Sequence, residues 1–285
     1  MTRLRYLLLI LIGLSACEVL ADTNSEARQR IIALSPHLAE LVFAVGAGDR
    51  LIGVSAYTDF PEAAAKLPVI GDAFMLDLER LTLLKPDLLL AWQSGTPAHV
   101  VDELQSRGYQ VEVIKTTSLH DIPLALSRIG ELTGHGTTAD TAADSFVDGL
   151  DLLEDLASDT ATIAVFYQVS KRPLFTISGE HYVSQLIEIC GGRNIFADLG
   201  KLAPLIGVEA VLGRDPEVLL AGDDAGPEAF SEWQHWPGMA ANRYGNRFLM
   251  PAAEIGRATP RLLEAGAAIC KALEEGRRNR EDFSD

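Results

Sequence analysis

The architecture of this chain is set by residues 137–156, which read TTADTAADSFVDGLDLLEDL. Apolar side chains recur there every three or four positions, and these are Ala139, Ala142, Phe146, Leu150 and Leu153. Aspartates lie mostly on the other faces, so the spacing predicts one amphipathic helix, about 30 Å long at 1.5 Å per residue. With one glycine and no proline, we expect a stiff rod. It either joins two lobes or crosses over inside one larger sheet.

Short apolar runs alternate with helical segments on both sides of this rod. Before it, strands are predicted at 30–34, 50–54, 87–91 and 110–114, and helices at 39–45, 76–84 and 99–107. After it, extended segments are predicted at 162–168, 173–177, 218–221 and 247–250, and helices at 182–189, 208–212, 228–233 and 261–273. Such alternation with short loops is typical of parallel sheets covered by helices on both faces.

Two stretches before the rod recur after it. Residues 41–51 are matched by 186–195, and residues 78–91 are matched by 208–221. In the second pair a glutamate, Glu79 or Glu209, stands seven residues before a proline. A repeat on this scale favours two lobes of similar topology. Two such lobes would face each other across a cleft, where ligands of open α/β sheets bind.

The expected fold class is therefore α/β, with two similar lobes built on mainly parallel sheets and joined by one long α-helix. The predicted divisions are an export segment at 1–21, an N-terminal lobe at 29–118, a helical connector at 119–158 and a C-terminal lobe at 159–276. A charged tail at 277–285 is expected to be frayed.

The net charge of the chain and its N-terminal residues indicate what it binds and where it is located. The formal net charge is −16, which argues against nucleic-acid binding because that depends on basic side chains. Arg3 and Arg5 precede an apolar run at 6–13 that is too short to span a bilayer, as in signal peptides. Cleavage is expected either before Cys17, which a lipobox-like motif would lipidate, or after residue 21. Either site predicts an exported protein.

The two remaining cysteines, Cys190 and Cys270, have no Cys-x-x-Cys spacing. In an oxidising compartment such a pair most simply forms a disulfide, and the alternative is two buried free thiols. The six histidines are scattered without an i, i+4 pair, so we expect no metal site. No hydrolase, phosphate-loop or dinucleotide motif is present, which gives no positive argument for an enzyme.

Aromatic residues cluster at predicted strand ends and in nearby loops, at Tyr57, Phe60, Phe74, Trp92 and Phe175. Rings in these places suit the wall of a cleft for a large flat ligand, although each ring could also belong to the core. Arg257 lies in a loop before the last helix and could donate hydrogen bonds to a ligand carbonyl, amide or phosphate. A plain surface arginine is the alternative.

Several segments carry a family resemblance. Residues 31–61 include Ser35-Pro36 and a Gly-Ala-Gly-Asp-Arg turn, residues 78–92 end in Ala-Trp, and residues 190–192 read Cys-Gly-Gly. Over about residues 29–274 the chain resembles the periplasmic binding proteins of cobalamin and ferric-siderophore importers, which are of the helical-backbone type. It is most similar to the cobalamin-binding members, whose disulfide Cys190 and Cys270 match.

The resemblance implies a carrier, free as a monomer, that holds a corrinoid without altering it. It would deliver the corrinoid to the dimeric permease of an inner-membrane ATP-binding-cassette importer, with Glu79 and Glu209 docking onto permease arginines. No resident cofactor is implied, and no side chain need coordinate the cobalt. The implied ligand contacts are Pro36, Tyr57, Phe74, Trp92, Phe175, Ala253, Glu254 and Arg257.

The chain also departs from that pattern. Two pocket tryptophans of the cobalamin-binding members fall near Ala73 or Phe74 and near Ala203, and an aspartate falls at Ala253. Haem or a ferric siderophore therefore remains an alternative cargo. Haem would need an axial ligand, for which the candidates are Tyr57, His37 and His181. Rivals from other classes are an exported enzyme on a nitrogenase-like two-lobed scaffold and an adhesin or sensor lipoprotein with an empty cleft.

Overall fold

The secondary structure is that of a computed structural model, which describes residues 29–72 and 75–284. The strands are β1 (Ile31–Ala33), β2 (Leu51–Val54), β3 (Leu88–Trp92), β4 (Val111–Ile114), β5 (Ile163–Gln168), β6 (Ser170–Lys171), β7 (Leu174–Phe175), β8 (Gly192–Asn194), β9 (Val218–Gly222) and β10 (Arg247–Met250). The helices are α1 (Pro36–Ala44), α2 (Glu62–Ala65), α3 (Leu78–Leu84), α4 (Ala98–Ser106), α5 (Asp121–Thr133), α6 (Gly136–Ala157), α7 (Tyr182–Ile189), α8 (Val208–Arg214), α9 (Ala240–Tyr244), α10 (Ala252–Ile255) and α11 (Leu262–Ser284).

The main strands form two four-stranded sheets with the same topology. The first sheet has the order β2-β1-β3-β4 and the second the order β8-β5-β9-β10, and every pairing within them is parallel. When the strands of each four-stranded sheet are numbered in chain order, both sheets have the order second, first, third, fourth. The two similar lobes predicted from the internal repeat are confirmed.

Each sheet separates two layers of core because successive strand residues face opposite sides. In β1, Ile31 and Ala33 join a central core, whereas Ile32 packs outward against α3 and α4. In β5, Val165 faces the same central core and Phe166 faces an outer one. The central core is continuous from one sheet to the other through the helices between them, which makes the two lobes one packed body.

The predicted rod is α6, a helix of 22 residues, or about 33 Å. Its predicted core positions Ala139, Phe146 and Leu153 are buried. Its single glycine, Gly149, permits close packing on α11, because a Cβ there would lie 2.5 Å from Leu263 Cδ1. The long helix between two lobes is thereby confirmed. None of the helices described combines the length and apolar character needed to cross a bilayer.

Two local predictions were wrong. Residues 228–233, expected to be helical, form tight turns that lead into a 3-10 turn at Trp233–His235. The tail expected to fray continues α11 as far as Ser284. Its charged composition indicated a solvated segment, but Arg277 turns inward and is only 7% exposed. The Arg277 guanidinium donates to the carbonyl oxygens of Ala161 and Cys190, both at 2.7 Å.

Cys190 and Cys270 form a disulfide, so the alternative of two free thiols is wrong. The bond ties the end of α7 to α11 and closes a loop with a sequence separation of 80. In the chain-entropy model such a loop stabilises the fold by about 4 kcal/mol. The predicted export segment, including Cys17, lies outside the described residues.

The buried arginine near the end of α11 leads to a stability prediction. Arg277→Ala should lower the free energy of unfolding by about 3 kcal/mol, because it leaves the buried Cys190 carbonyl and the partly buried Ala161 carbonyl without a charged donor. Urea denaturation measures the change. Arg278→Ala is the matched control, since its side chain is exposed and lies 3.9 Å from Glu274. The control should change stability by no more than about 0.5 kcal/mol. Equal effects of the two substitutions would contradict the anchoring role.

Candidate functional site

A cavity of about 530 Å³ lies between the lobes, at the carboxyl ends of the N-terminal strands. Each strand of the first sheet contributes a residue at or just after its end, and these are Leu34, Ser55, Trp92 and Thr116. The C-terminal lobe contributes Tyr182, at the start of α7, and Arg257, in the loop between α10 and α11. This is where open α/β sheets bind ligands. The site predicted at the strand ends therefore coincides with a real concavity.

Trp92 forms one wall of this cavity. It ends β3, and its ring meets the His37 ring edge-on with centroids 4.9 Å apart. The indole Nε1 is buried and has no hydrogen-bond partner among the described residues. A buried N–H without a partner is uncommon, so this donor is available to an acceptor on a bound ligand if the ring shifts.

Tyr57 stands at the mouth of the cavity with 84% of its surface exposed. Its backbone is left-handed, with φ of 66°, which is uncommon for a residue with a side chain. Two hydrogen bonds hold the segment: Thr58 Oγ1 donates to the Ser55 carbonyl at 2.8 Å, and Ala56 N donates to the Gly71 carbonyl at 2.7 Å. Backbone strain of this kind gathers at functional sites, where it fixes a side chain in place.

His37 lines the cavity and is 6% exposed. Its Nδ1 is 2.5 Å from Ser35 Oγ and its Nε2 is 3.2 Å from Thr116 Oγ1. Burial, reinforced by the positive charge of Arg257, lowers the pKa of His37 to about 3. The ring is buried and both of its nitrogens are engaged by hydroxyl groups, so neither nitrogen is free to serve as an axial haem ligand.

His181, the other histidine considered for haem, does not line the cavity. Its Nδ1 accepts a hydrogen bond from Val183 N at 3.1 Å, which caps α7. Burial lowers the pKa of His181 to about 4. Its place in the fold is thus explained by helix capping.

The buried state of His37 predicts a pH-dependent stability. The unfolded chain binds this proton with a pKa of about 6.5 and the folded chain with a pKa of about 3, so stability is lost as the pH falls from about 6.5 toward 3. Between about pH 7.5 and 5, wild type should lose about 2 kcal/mol more unfolding free energy than His37→Gln. Urea titrations at both pH values measure the difference. Parallel losses in the two proteins would show that His37 is not the group responsible.

Arg257 connects the two lobes rather than standing free in the cavity. Its Nη1 donates to Glu40 Oε1 at 2.7 Å and also contacts Asp59, and its Nη2 donates to the Tyr57 carbonyl at 3.2 Å. Glu40, on α1, is only 4% exposed. It also accepts from Thr259 Oγ1 at 3.1 Å and lies 3.5 Å from Arg261 Nη1. A buried carboxylate of one lobe is thus neutralised by groups of the other.

This ion-pair cluster is electrostatically matched. The hydrogen bond from Arg257 holds the pKa of Asp59 below its usual value. Burial alone would lower the pKa of Arg257, but its bonds to Asp59 and Glu40 raise it on balance. These shifts keep Asp59 and Arg257 charged at neutral pH. Arg257 therefore fixes the segment that carries Tyr57, and a direct contact of Arg257 with a ligand stays a prediction.

Of the other described residues that were predicted to contact the ligand, one lines the cavity and three do not. Pro36 lines the cavity. Phe175 lies on β7 outside the lining, and Ala253 is exposed on α10. Glu254 is engaged by Arg261, which it contacts directly. Phe74, like Ala73, falls outside the described residues.

Sequence reasoning did not single out several lining residues, among them Ser55, Thr116 and Tyr182. Ser55 and Thr116 come one and two residues after a predicted strand, and Tyr182 opens a predicted helix, so these positions could have identified them. Tyr182 N also donates to the Thr117 carbonyl at 3.0 Å, a contact between the lobes. Its phenol is buried, which raises the pKa of Tyr182 and keeps it neutral.

Glu79 and Glu209 occupy equivalent positions in the two lobes. They lie in the first turns of α3 and α8, two seven-residue helices that end in the left-handed residues Lys85 and Asp215. Because each helix runs antiparallel to the strands, its first turn is at the carboxyl edge of its sheet. Both side chains are exposed, and neither forms an ion pair with any other residue that the structure describes.

No cluster of three or more His, Cys, Asp or Glu side chains among residues 29–72 and 75–284 is arranged to hold a metal ion. The site is instead defined by rings, buried neutral polar groups and a cross-lobe ion pair. Such a surface suits a large and mostly apolar ligand.

Comparison with known proteins gives consistent matches. A family model described as periplasmic binding protein matches residues 31–254. The vitamin B12-binding protein of Vibrio parahaemolyticus is 32% identical over 257 residues, which are 90% of this chain and 93% of that protein. The crystal structure of the periplasmic vitamin B12-binding protein BtuF of Vibrio cholerae matches with a TM-score of 0.80 at 30% identity, over 88% of this chain and 98% of that one.

The same fold also occurs in a haem-binding protein. The periplasmic haem-binding protein RhuT of Roseiflexus sp. RS-1 matches with a TM-score of 0.77 at 21% identity, over 87% of this chain and 98% of that one. At that identity the likeness concerns the fold alone.

Proposed function

This chain belongs to the periplasmic binding protein family, and on that premise we propose that it captures cobalamin in the cavity between its lobes. It then delivers the corrinoid to the permease of an inner-membrane ATP-binding-cassette importer, without changing it chemically. The vitamin B12-binding relatives, similar over nearly their whole length, support this cargo.

The observation that carries the proposal is the make-up of the cavity wall. Trp92, Tyr57 and Tyr182 provide aromatic surface from both lobes, and the buried His37 beside them has both ring nitrogens engaged. A corrin is a broad, flat macrocycle whose rim bears amide groups. Aromatic walls bury its faces, and isolated donors such as Trp92 Nε1 suit its amide carbonyls.

The permease is proposed from the two matched glutamates. Glu79 and Glu209 present equal charges at equivalent corners of two lobes with the same topology. Such a surface suits a partner with two-fold symmetry and basic groups at both positions. The acidic net charge of −16 would further favour encounter with a basic partner.

The proposed setting is the periplasm, in agreement with the family. Residues 1–21 would direct export, with the mature protein either lipidated at Cys17 or released after residue 21. Because the central core runs continuously through both lobes, we expect only small lobe motions on binding. The free protein is expected to be a monomer.

Haem is the second candidate cargo, and one observation favours it. The phenol of Tyr57 is exposed at the mouth of the cavity, where it could serve as an axial iron ligand. If haem were the cargo, the Soret band of the complex would shift in Tyr57→Phe.

Calorimetric titration of the purified protein with cyanocobalamin and, separately, with haem tests the proposal. We expect one cyanocobalamin per chain and haem affinity at least about a hundredfold lower. Tight haem binding without cyanocobalamin binding would overturn the cargo assignment. Catalytic turnover of any substrate would overturn the carrier role.

A further inference from the structure

Two large apolar side chains are exposed at matched positions of the two lobes. Met75 is 78% exposed and Leu205 is 63% exposed, and each stands four residues before a glutamate of the repeat, Glu79 or Glu209. A single exposed apolar residue needs no explanation. Two at equivalent positions, both at the carboxyl edge of their sheets, indicate a surface that another molecule covers.

In the C-terminal lobe, Leu205 lies beside Phe175. These two residues form an antiparallel bridge, flanked by hydrogen bonds from Thr176 N to the Pro204 carbonyl and from Ile206 N to the Leu174 carbonyl, both 3.1 Å. Residues directly opposite in an antiparallel pair place their side chains on the same face, about 5 Å apart at Cβ. Leu205 and Phe175 thus form one apolar patch, beyond the carboxyl end of β5.

In the N-terminal lobe, Met75 lies beside the cavity mouth. Asp72 N donates to the Met75 carbonyl at 3.0 Å, and Met75 N donates to Asp72 Oδ1 at 2.8 Å. Asp72 lines the cavity. Gly71, next to it, accepts from Ala56 N in the segment that carries Tyr57. Met75 therefore extends the rim on which Tyr57 stands.

We propose that Met75 and Leu205 form an outer binding rim that closes on the edge of the cargo from both lobes. This inference rests on the proposed function, because it takes the cargo to be a bulky corrinoid. The cavity of about 530 Å³ is smaller than a corrinoid with its amides and nucleotide loop, so the cargo must extend beyond it. The part that emerges meets Met75 on one side and Leu205 with Phe175 on the other.

The backbone contacts favour the cargo over the permease as the molecule that covers these residues. Met75 is bonded to the cavity-lining Asp72, and Leu205 is paired with the predicted ligand residue Phe175. Methionine suits such a rim because its unbranched side chain adapts to an irregular ligand edge. Because Glu79 and Glu209 lie nearby, the permease is the alternative molecule that could cover Met75 and Leu205. The following experiment distinguishes the cargo from the permease.

The test compares two double variants by calorimetric titration with cyanocobalamin. Met75→Ser/Leu205→Ser should bind about a hundredfold more weakly than wild type. Each apolar side chain that the bound cargo half buries accounts for about tenfold. The matched control is Leu152→Ser/Leu156→Ser on α6, where both leucines are also exposed. The control should bind like wild type. All the replaced side chains are exposed, so thermal unfolding should be unchanged in both variants.

Two outcomes would overturn the inference. One is unchanged cyanocobalamin affinity of Met75→Ser/Leu205→Ser together with lost capture by permease-containing vesicles, which would make the pair a docking surface. The other is equal weakening in the Leu152/Leu156 control. Absence of cyanocobalamin binding by wild type would instead refute the proposed function, so the two failures are distinguishable.

Discussion

The double variant Glu79→Lys/Glu209→Lys is expected to stop cobalamin import while its affinity for cyanocobalamin stays that of wild type. Both carboxylates are exposed, at matched corners of the two lobes, and away from the cavity lining. Reversal would place like charges against a basic partner at two positions, each costing several kcal/mol. Uptake of labelled cyanocobalamin by cells that depend on this protein should fall to the level of cells without it.

The control for this prediction reverses two other exposed acids, in Asp140→Lys/Asp148→Lys. These residues lie on the solvent face of α6, and the variant has the same net charge as the test variant. It should import at the wild-type rate. Normal import by Glu79→Lys/Glu209→Lys would refute docking through the repeat glutamates, and equal loss in the control would show that only total charge matters.

Trp92→Ala is expected to weaken cyanocobalamin binding about a hundredfold, since a central aromatic wall is lost. Trp92 is the last residue of β3, and its ring lines the cavity and packs edge-on against the His37 ring. Calorimetry measures the dissociation constant. Trp92→Phe retains a flat ring and lacks the N–H, so it separates stacking from hydrogen bonding. Affinity within about fivefold of wild type in Trp92→Phe would assign most of the effect to the ring.

Trp236→Ala serves as the control for removal of an indole, because Trp236 packs against the outer core of the C-terminal lobe. It should bind cyanocobalamin as wild type does. Wild-type affinity in Trp92→Ala would place the ligand somewhere other than this cavity.

The fold was largely predictable from sequence because its periodicities are local. The three- and four-residue spacing in 137–156 gave α6 to within one residue at each end. The repeat around Glu79 and Glu209 predicted two lobes of similar topology, and the structure shows two sheets with the same strand order. The end of α11 was not predictable, because Arg277 is buried through contacts with residues more than 80 positions away. Composition alone makes such a segment look solvated.

The site was predictable only in part. Tyr57 and Trp92 were predicted as ligand contacts because strand ends are a local feature, and both line one cavity. The partners of Arg257 were not, because Glu40 is 217 residues distant in sequence. The family resemblance predicts which residues lie at the site. It does not predict which of them form an ion pair between the lobes, because that depends on the folded structure. Phe175 lies beside Leu205 because the two residues pair in an antiparallel bridge, which no periodicity in the sequence indicated.

The central claim is that a corrinoid sits between the lobes, and the anomalous scattering of its cobalt tests this most directly. Crystals grown with cyanocobalamin should show one anomalous peak at the cobalt absorption edge, within the space bounded by Tyr57, Trp92 and Tyr182. A peak outside that space, or saturated crystals without any peak, would contradict the account.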